Sequence, residues 1–180
     1  MCEKWLDLDD EILELRSSKK YIYLNLGIVT VNPLMVVSLS RELDQDKLDR
    51  IRDKIINNGW IDVSPGELRL LLMPNGSYVV DGGGNHRVYI CNELGIENIK
   101  AKVGTYMNKD FLSHDELEKH ESYEIELTAL HKKISREKNE EVKSEYEDQR
   151  YEFIKNHDAW LQKIYNKMMN EKNTSNLNGD

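Results

Sequence analysis

Seven consecutive residues carry the densest chemistry in the chain: Asp81-Gly82-Gly83-Gly84-Asn85-His86-Arg87. They follow Tyr78-Val79-Val80, a run suited to a strand, and open a helix expected over about 86–94 and stopped by Gly95. The first backbone N–H groups of a helix are free, and its dipole adds about half a positive charge there. Glycine lets an anion approach the backbone closely, and His86 and Arg87 add charge-assisted donors. This spacing offers phosphate binding. Strand-glycine-helix junctions also serve as plain turns, and spacing alone does not separate the two. Asp81 has two roles open to it, as a ligand to Mg²⁺ beside bound phosphate or as a carboxylate that caps the turn.

A second group lies upstream. Lys47, Arg50 and Lys54 recur at i, i+3 and i+7, on one face of an expected helix and away from its apolar stripe of Leu48, Ile51, Ile55 and Ile56. They suit either contact with an anion or a solvated basic edge. Glu42 and Asp44 precede this helix, and no role follows for either. His114, His120, His131 and His157 have no regular metal-ligand spacing and are expected at solvated positions. Of the two cysteines, Cys2 sits beside the N-terminus and Cys91 suits a packed core position.

The elements that must position these residues follow from periodicity. Residues 5–16 read as an amphipathic helix with Trp5, Leu8, Ile12 and Leu15 on one face. The β-branched and aromatic content of 21–24 and 28–31, then the apolar run 34–37, read as two strands broken at Asn32-Pro33. The basic helix starts at Asp44 or Asp46 and stops at Asn57-Asn58-Gly59. Residues 61–63, 68–72 and 78–80 are expected strands, the last two joined by a turn at Pro74-Asn75-Gly76-Ser77. A closing strand is expected over 100–103. Beyond Gly104 no Gly or Pro occurs until Gly179, and Ser113-His114-Asp115-Glu116 matches a capping box. Leu127, Leu130 and Ile134, then Ile154, Trp160, Leu161, Ile164 and Met168, recur helically around a polar stretch over 135–147. Two helices, or one long helix with a solvated middle, fit this pattern.

The order of these motifs resembles the ParB/sulfiredoxin superfamily. The resemblance rests on the helix ending Asn58-Gly59-Trp60, on Gly83-Gly84-Asn85-His86-Arg87, and on Leu94-Gly95-Ile96 leading to the last strand. It covers roughly residues 25–103. It implies an α+β fold, a small mixed sheet with packed helices, here followed by a helical C-terminal extension. With the periodicity of the flanking segments, the expected organisation is an N-terminal helix over 1–20, a nucleotide-binding domain over 21–105, an acidic helical extension over 106–170 and a disordered tail over 171–180. In ParB proteins the corresponding box binds the triphosphate of CTP. In sulfiredoxins it binds ATP and contains the catalytic cysteine. Here Asn85 stands in the cysteine position, and an amide cannot be the nucleophile. Cys91 is no substitute, about 9 Å further along a helix. Sulfiredoxin-like proteins use positions similar to Lys47, Arg50 and Lys54 to contact ATP. The implied nucleotide-binding set is therefore Gly83, Gly84, Asn85, His86, Arg87, Lys47, Arg50 and Lys54, with ATP or CTP as ligand; for Asp81 the two roles, Mg²⁺ ligand or turn cap, stay open.

Composition narrows the partners. The formal net charge is −8, and residues 105–180 carry 12 basic against 17 acidic side chains. Such a tail is a poor reader of DNA phosphates, and no helix-glycine-helix spacing occurs in it. It suits a homo-oligomer or a protein partner. No apolar run reaches the roughly 20 residues that span a bilayer, and the acidic N-terminal stretch is unlike a signal peptide, so a cytoplasmic protein is expected. Three functions fit: an NTPase or phosphotransferase with a helical arm, a non-catalytic nucleotide-gated regulator or adaptor, and a DNA-binding or nuclease-like protein.

Overall fold

The computed structural model describes the backbone of residues 5–177 and the side chains of 5–171. The chain divides into two compact units between Tyr106 and Met107. The first is a mixed α+β unit whose five strands form one sheet in the order β1-β5-β3-β4-β2. The strands are β1 (Tyr21–Val31), β2 (Val36–Ser38), β3 (Arg69–Leu72), β4 (Tyr78–Val80) and β5 (Ile99–Asn108). β3 and β4 form the expected hairpin, with Leu71 opposite Val79. β2 runs parallel to β4, and β3 runs parallel to β5 with Leu70 opposite Val103. Parallel pairs need crossovers, and helices fill them: α2 (Gln45–Asn58) precedes β3 and α3 (Asn85–Glu93) precedes β5.

Alternation along the strands drives the core. Leu70, Val80, Ile99, Ala101 and Val103 point inward and meet Val88 and Cys91 of α3, all nearly inaccessible to solvent. The opposite face is covered by α1 (Asp9–Ser17), whose Leu15 packs on Leu71, Met73 and Val79, with Leu8 and Ile12 beside it. Leu48 and Ile55 of α2 meet Ile90 of α3, which fixes the two helices against each other.

Some expectations hold and others need correction. The break expected at Asn32-Pro33 is present: β1 runs unbroken through Gly27 to Val31, and a 3₁₀ turn at Pro33–Met35 precedes β2. Asn32 causes that turn by accepting a hydrogen bond from the Leu34 N–H at 2.9 Å. Residues 61–63 form no strand. Val63 N–H bonds back to the Ile61 carbonyl at 2.8 Å and curls the backbone, and the Asp62 carboxylate binds Trp60 Nε1 and the Lys100 N–H instead of leaving a ladder to form. The closing strand is longer than expected, because nothing in 104–108 terminates it.

The second unit holds α4 (His114–Arg136) and α5 (Glu140–Leu177), packed on each other. Ser113 and Glu116 form the expected capping box. The polar stretch breaks at 137–139, where Glu137 and Asn139 turn their side chains onto neighbouring N–H groups. Contacts between Tyr123 and His157 and between Lys133 and Tyr146 make the pair an antiparallel hairpin. α5 continues to Leu177, so the expected disorder from residue 171 is corrected to helix there, and 178–180 lie outside the described residues. No stop residue occurs before Gly179 to end the helix. Among the described residues no helix is long and apolar enough to cross a membrane.

Candidate functional site

β4 delivers the chain to the glycine turn, and the turn launches α3. Gly82 and Gly84 hold φ of 99° and 104°, backbone that side chains rarely adopt. The turn is also packed. A Cβ at Gly84 would lie 2.1 Å from Leu68 Cδ1, and one at Gly83 would lie 2.4 Å from the Glu67 carbonyl oxygen. Arg69 N–H donates to the Gly83 carbonyl, and Asp81 N–H donates to the Arg69 carbonyl, so the turn extends the β3–β4 ladder. Close backbone approach is therefore already used inside the fold, by Glu67 and Leu68 at the entry to β3.

Asn85 is 1% exposed. Its side-chain oxygen accepts from the Ser40 N–H at 2.8 Å, and its amide donates to Ser40 Oγ and the Gly82 carbonyl. It clasps the end of β2 to the turn. His86 Nε2 accepts the Asp44 N–H at 2.9 Å, while the Asp44 carboxylate caps α2 through the Lys47 N–H. The starts of α2 and α3 are thereby tied together. Burial, and then Lys47 nearby, hold the His86 imidazole below its ordinary range. That matches its bond, since only the neutral ring has an acceptor. α2 and α4 have side-chain caps, whereas no side chain caps α3.

A cleft of about 450 Å³ lies between α2, the α3 start and the segment 58–67. Lys47 and Lys54 line one side, with Gly84, His86 and Arg87 at the helix start. Ile51, Trp60, Ile61 and Val63 form an apolar wall. Of the residues expected at a ligand, Gly83, Asn85 and Arg50 stay outside the cleft wall. Arg50 donates instead to the Asp46 carbonyl of its own helix. Arg87 is engaged: Nη1 donates to the Val63 and Ser64 carbonyls, and Nη2 approaches Glu67 Oε2 at 3.3 Å. Asp81 faces away and pairs with Arg16 of α1 at 2.5 Å.

The apolar wall escaped the sequence reading, because residues 61–63 alternate like a strand. The exposure of Ile61 and Val63, 64% and 57%, is the mark of a wall rather than a ladder. Two histidines also depart from expectation. His120 and His157 are buried, with Nδ1 and Nε2 at 3.3 Å. His157 stacks on Tyr123. His157, Trp160, Leu161 and Ile164 share a helical stripe, which is the signal that places this histidine inside. Cys91 is buried as expected, and burial pushes its thiol up to about 12. Among the described residues no cluster of three or more His, Cys, Asp or Glu could hold a metal. In comparison with known proteins, no family model and no curated protein matches the chain.

Proposed function

We propose that the cleft binds a nucleotide, and that the first unit is a ParB/sulfiredoxin-like nucleotide-binding domain acting as an NTPase or phosphotransferase. The phosphates sit at the uncapped start of α3 within reach of Lys47 and Lys54, and the base lies against Trp60, Ile61 and Val63. The observation that carries this reading is the coincidence, in one cleft, of two lysines, a helix start without a cap and an apolar wall. Helix dipole and lysine charges suit phosphate, and an apolar wall with a few convergent polar groups suits a small organic ligand. ATP or CTP, with Mg²⁺, is the candidate ligand. The second unit serves as an arm for self-association or a protein partner.

A ligand that binds only the native state stabilises it by mass action, about 2.7 kcal/mol at a hundred times Kd. A thermal-shift series with ATP, ADP, CTP and GTP, with and without Mg²⁺, should show a rise for at least one. Lys47→Ala with Lys54→Ala should remove most of it without lowering the melting temperature of the free protein. No shift at millimolar ligand rejects nucleotide binding. A non-catalytic, nucleotide-gated role is the second reading. It is favoured by the pairing of Asp81 with Arg16, which leaves Glu67 as the carboxylate in the cleft wall. Absence of turnover in a binding-competent protein selects it.

A further inference from the structure

Resting on the nucleotide reading, we infer that Glu67 is a resident anion on Arg87 that an incoming phosphate must displace, making the cleft selective for polyphosphates over singly charged anions. Arg87 is the guanidinium at the cleft, and it is already spoken for. Nη1 is held by the Val63 and Ser64 carbonyls, and Nη2 faces the Glu67 carboxylate at 3.3 Å. The Arg87 side chain is 24% exposed and the Glu67 side chain 73%. One partner is thus anchored and the other is a solvated arm that can swing away.

The backbone of Glu67 cannot follow. Its carbonyl packs against Gly83, and its N–H bonds the Ser64 carbonyl. Displacement is therefore a side-chain rotation, not a loop movement. A carboxylate ligand would exchange one anion for another on Arg87 with no net gain. A polyphosphate gains more, because Lys47, Lys54 and the start of α3 line the same cleft and Glu67 does not satisfy them. The cost of displacement is that of a surface ion pair, up to about 1 kcal/mol, or roughly fivefold in affinity.

The experiment is titration calorimetry of the full chain with ATP, ADP, inorganic phosphate and acetate, comparing wild type with Glu67→Gln. Glu67 is an exposed side chain, so the variant should melt with the wild type. ATP and ADP should bind Glu67→Gln about two- to fivefold more tightly, and acetate should not bind the wild type. Tighter binding by Glu67→Gln, or binding by the variant where wild type shows none, supports the inference. Nucleotide binding by wild type that is equal or weaker in Glu67→Gln overturns it and leaves the nucleotide reading standing; weaker binding only with Mg²⁺ would recast Glu67 as a metal ligand. Acetate binding to wild type within tenfold of ADP also overturns it. No nucleotide binding by either protein rejects both.

Discussion

Acid should open the helical hairpin before it unfolds anything else, because its interior contains two imidazoles. Burial, then His120 and Lys119 beside it, hold the His157 ring down to about 4. Burial lowers His120 as well, with Lys109 adding to that and Glu124 and Glu121 opposing it. A group whose proton affinity is depressed in the folded state lends stability that is complete above its unfolded value, near 6.5, and drains as the pH falls toward its folded value. For His157 the window is thus about pH 6.5 down to about 4. At 1.36 kcal/mol per tenfold change in proton affinity, the full difference is at most about 3 kcal/mol. The groove lined by Tyr123, Phe153, His157 and Trp160 opens the ring edge to solvent, and this, with sharing of a first proton between the two rings, reduces the figure to about 1–2 kcal/mol. Carboxylates do not blur the measurement. The stability lent by Glu116 and Glu93, held below the usual range by Ser113 and Arg52, drains only below about pH 5, so loss between 6.5 and 5 belongs to imidazole. Amide hydrogen exchange across α4 and α5 from about pH 7 to 5, corrected for intrinsic rates, reads it directly. Protection around residues 120–123 and 153–161 should fall, while the sheet keeps its protection. His120→Leu with His157→Leu should flatten the dependence. Constant protection across the window, or an unchanged slope in the double variant, would refute the buried neutral pair.

Gly84→Ala should cost about 3 kcal/mol in chemical denaturation, combining a left-handed backbone with a Cβ driven into Leu68; a loss below 1 kcal/mol would show that the turn is slack. Cys91, fully buried with its thiol pushed up to about 12, should resist alkylation at pH 8 until the first unit unfolds. Labelling of the native protein in minutes would contradict the packing. Ser113→Ala removes the hydroxyl half of the capping box, the acceptor of the Glu116 N–H, and leaves the Glu116 carboxylate on the backbone N–H of residue 113; it should lower stability of the hairpin by about 1 kcal/mol, read by the same exchange measurement.

The parts of this fold that the sequence discloses are those governed by local rules. Asp44 and Ser113 announce helix starts, Gly59 and Gly95 announce stops, and the Pro74–Ser77 turn announces a hairpin. These depend on a few neighbouring side chains and on φ. Residues 61–63 mislead because alternation is only a precondition for a strand, and Asp62 spends its carboxylate on Trp60 and Lys100. The same limit applies at the site. The glycine turn and Arg87 stand out in the sequence, but the partners that engage them lie at Ser40, Leu68 and Glu67, brought close only by strand pairing. The polar stretch over 135–147 conceals a break, since Glu137 and Asn139 are acceptable inside a helix and reveal themselves as caps only when the chain turns. His120 and His157 lie 37 residues apart, and each looks solvated until the other is beside it.

Asn85 gives the glycine turn a fastening that chemistry in the surroundings does not touch. The clasp between β2 and α3 is made of an amide, a hydroxyl and backbone groups. None of these gains or loses a proton near neutrality, and none is attacked by mild oxidants. The clasp itself therefore contains no group that mild acid or mild oxidation would alter. His86 is different, for its bond to Asp44 exists only while the ring is neutral. The join between α2 and α3 can respond to acid, whereas the Asn85 clasp beneath it cannot, so two neighbouring fastenings of one helix start answer differently to the same change of pH.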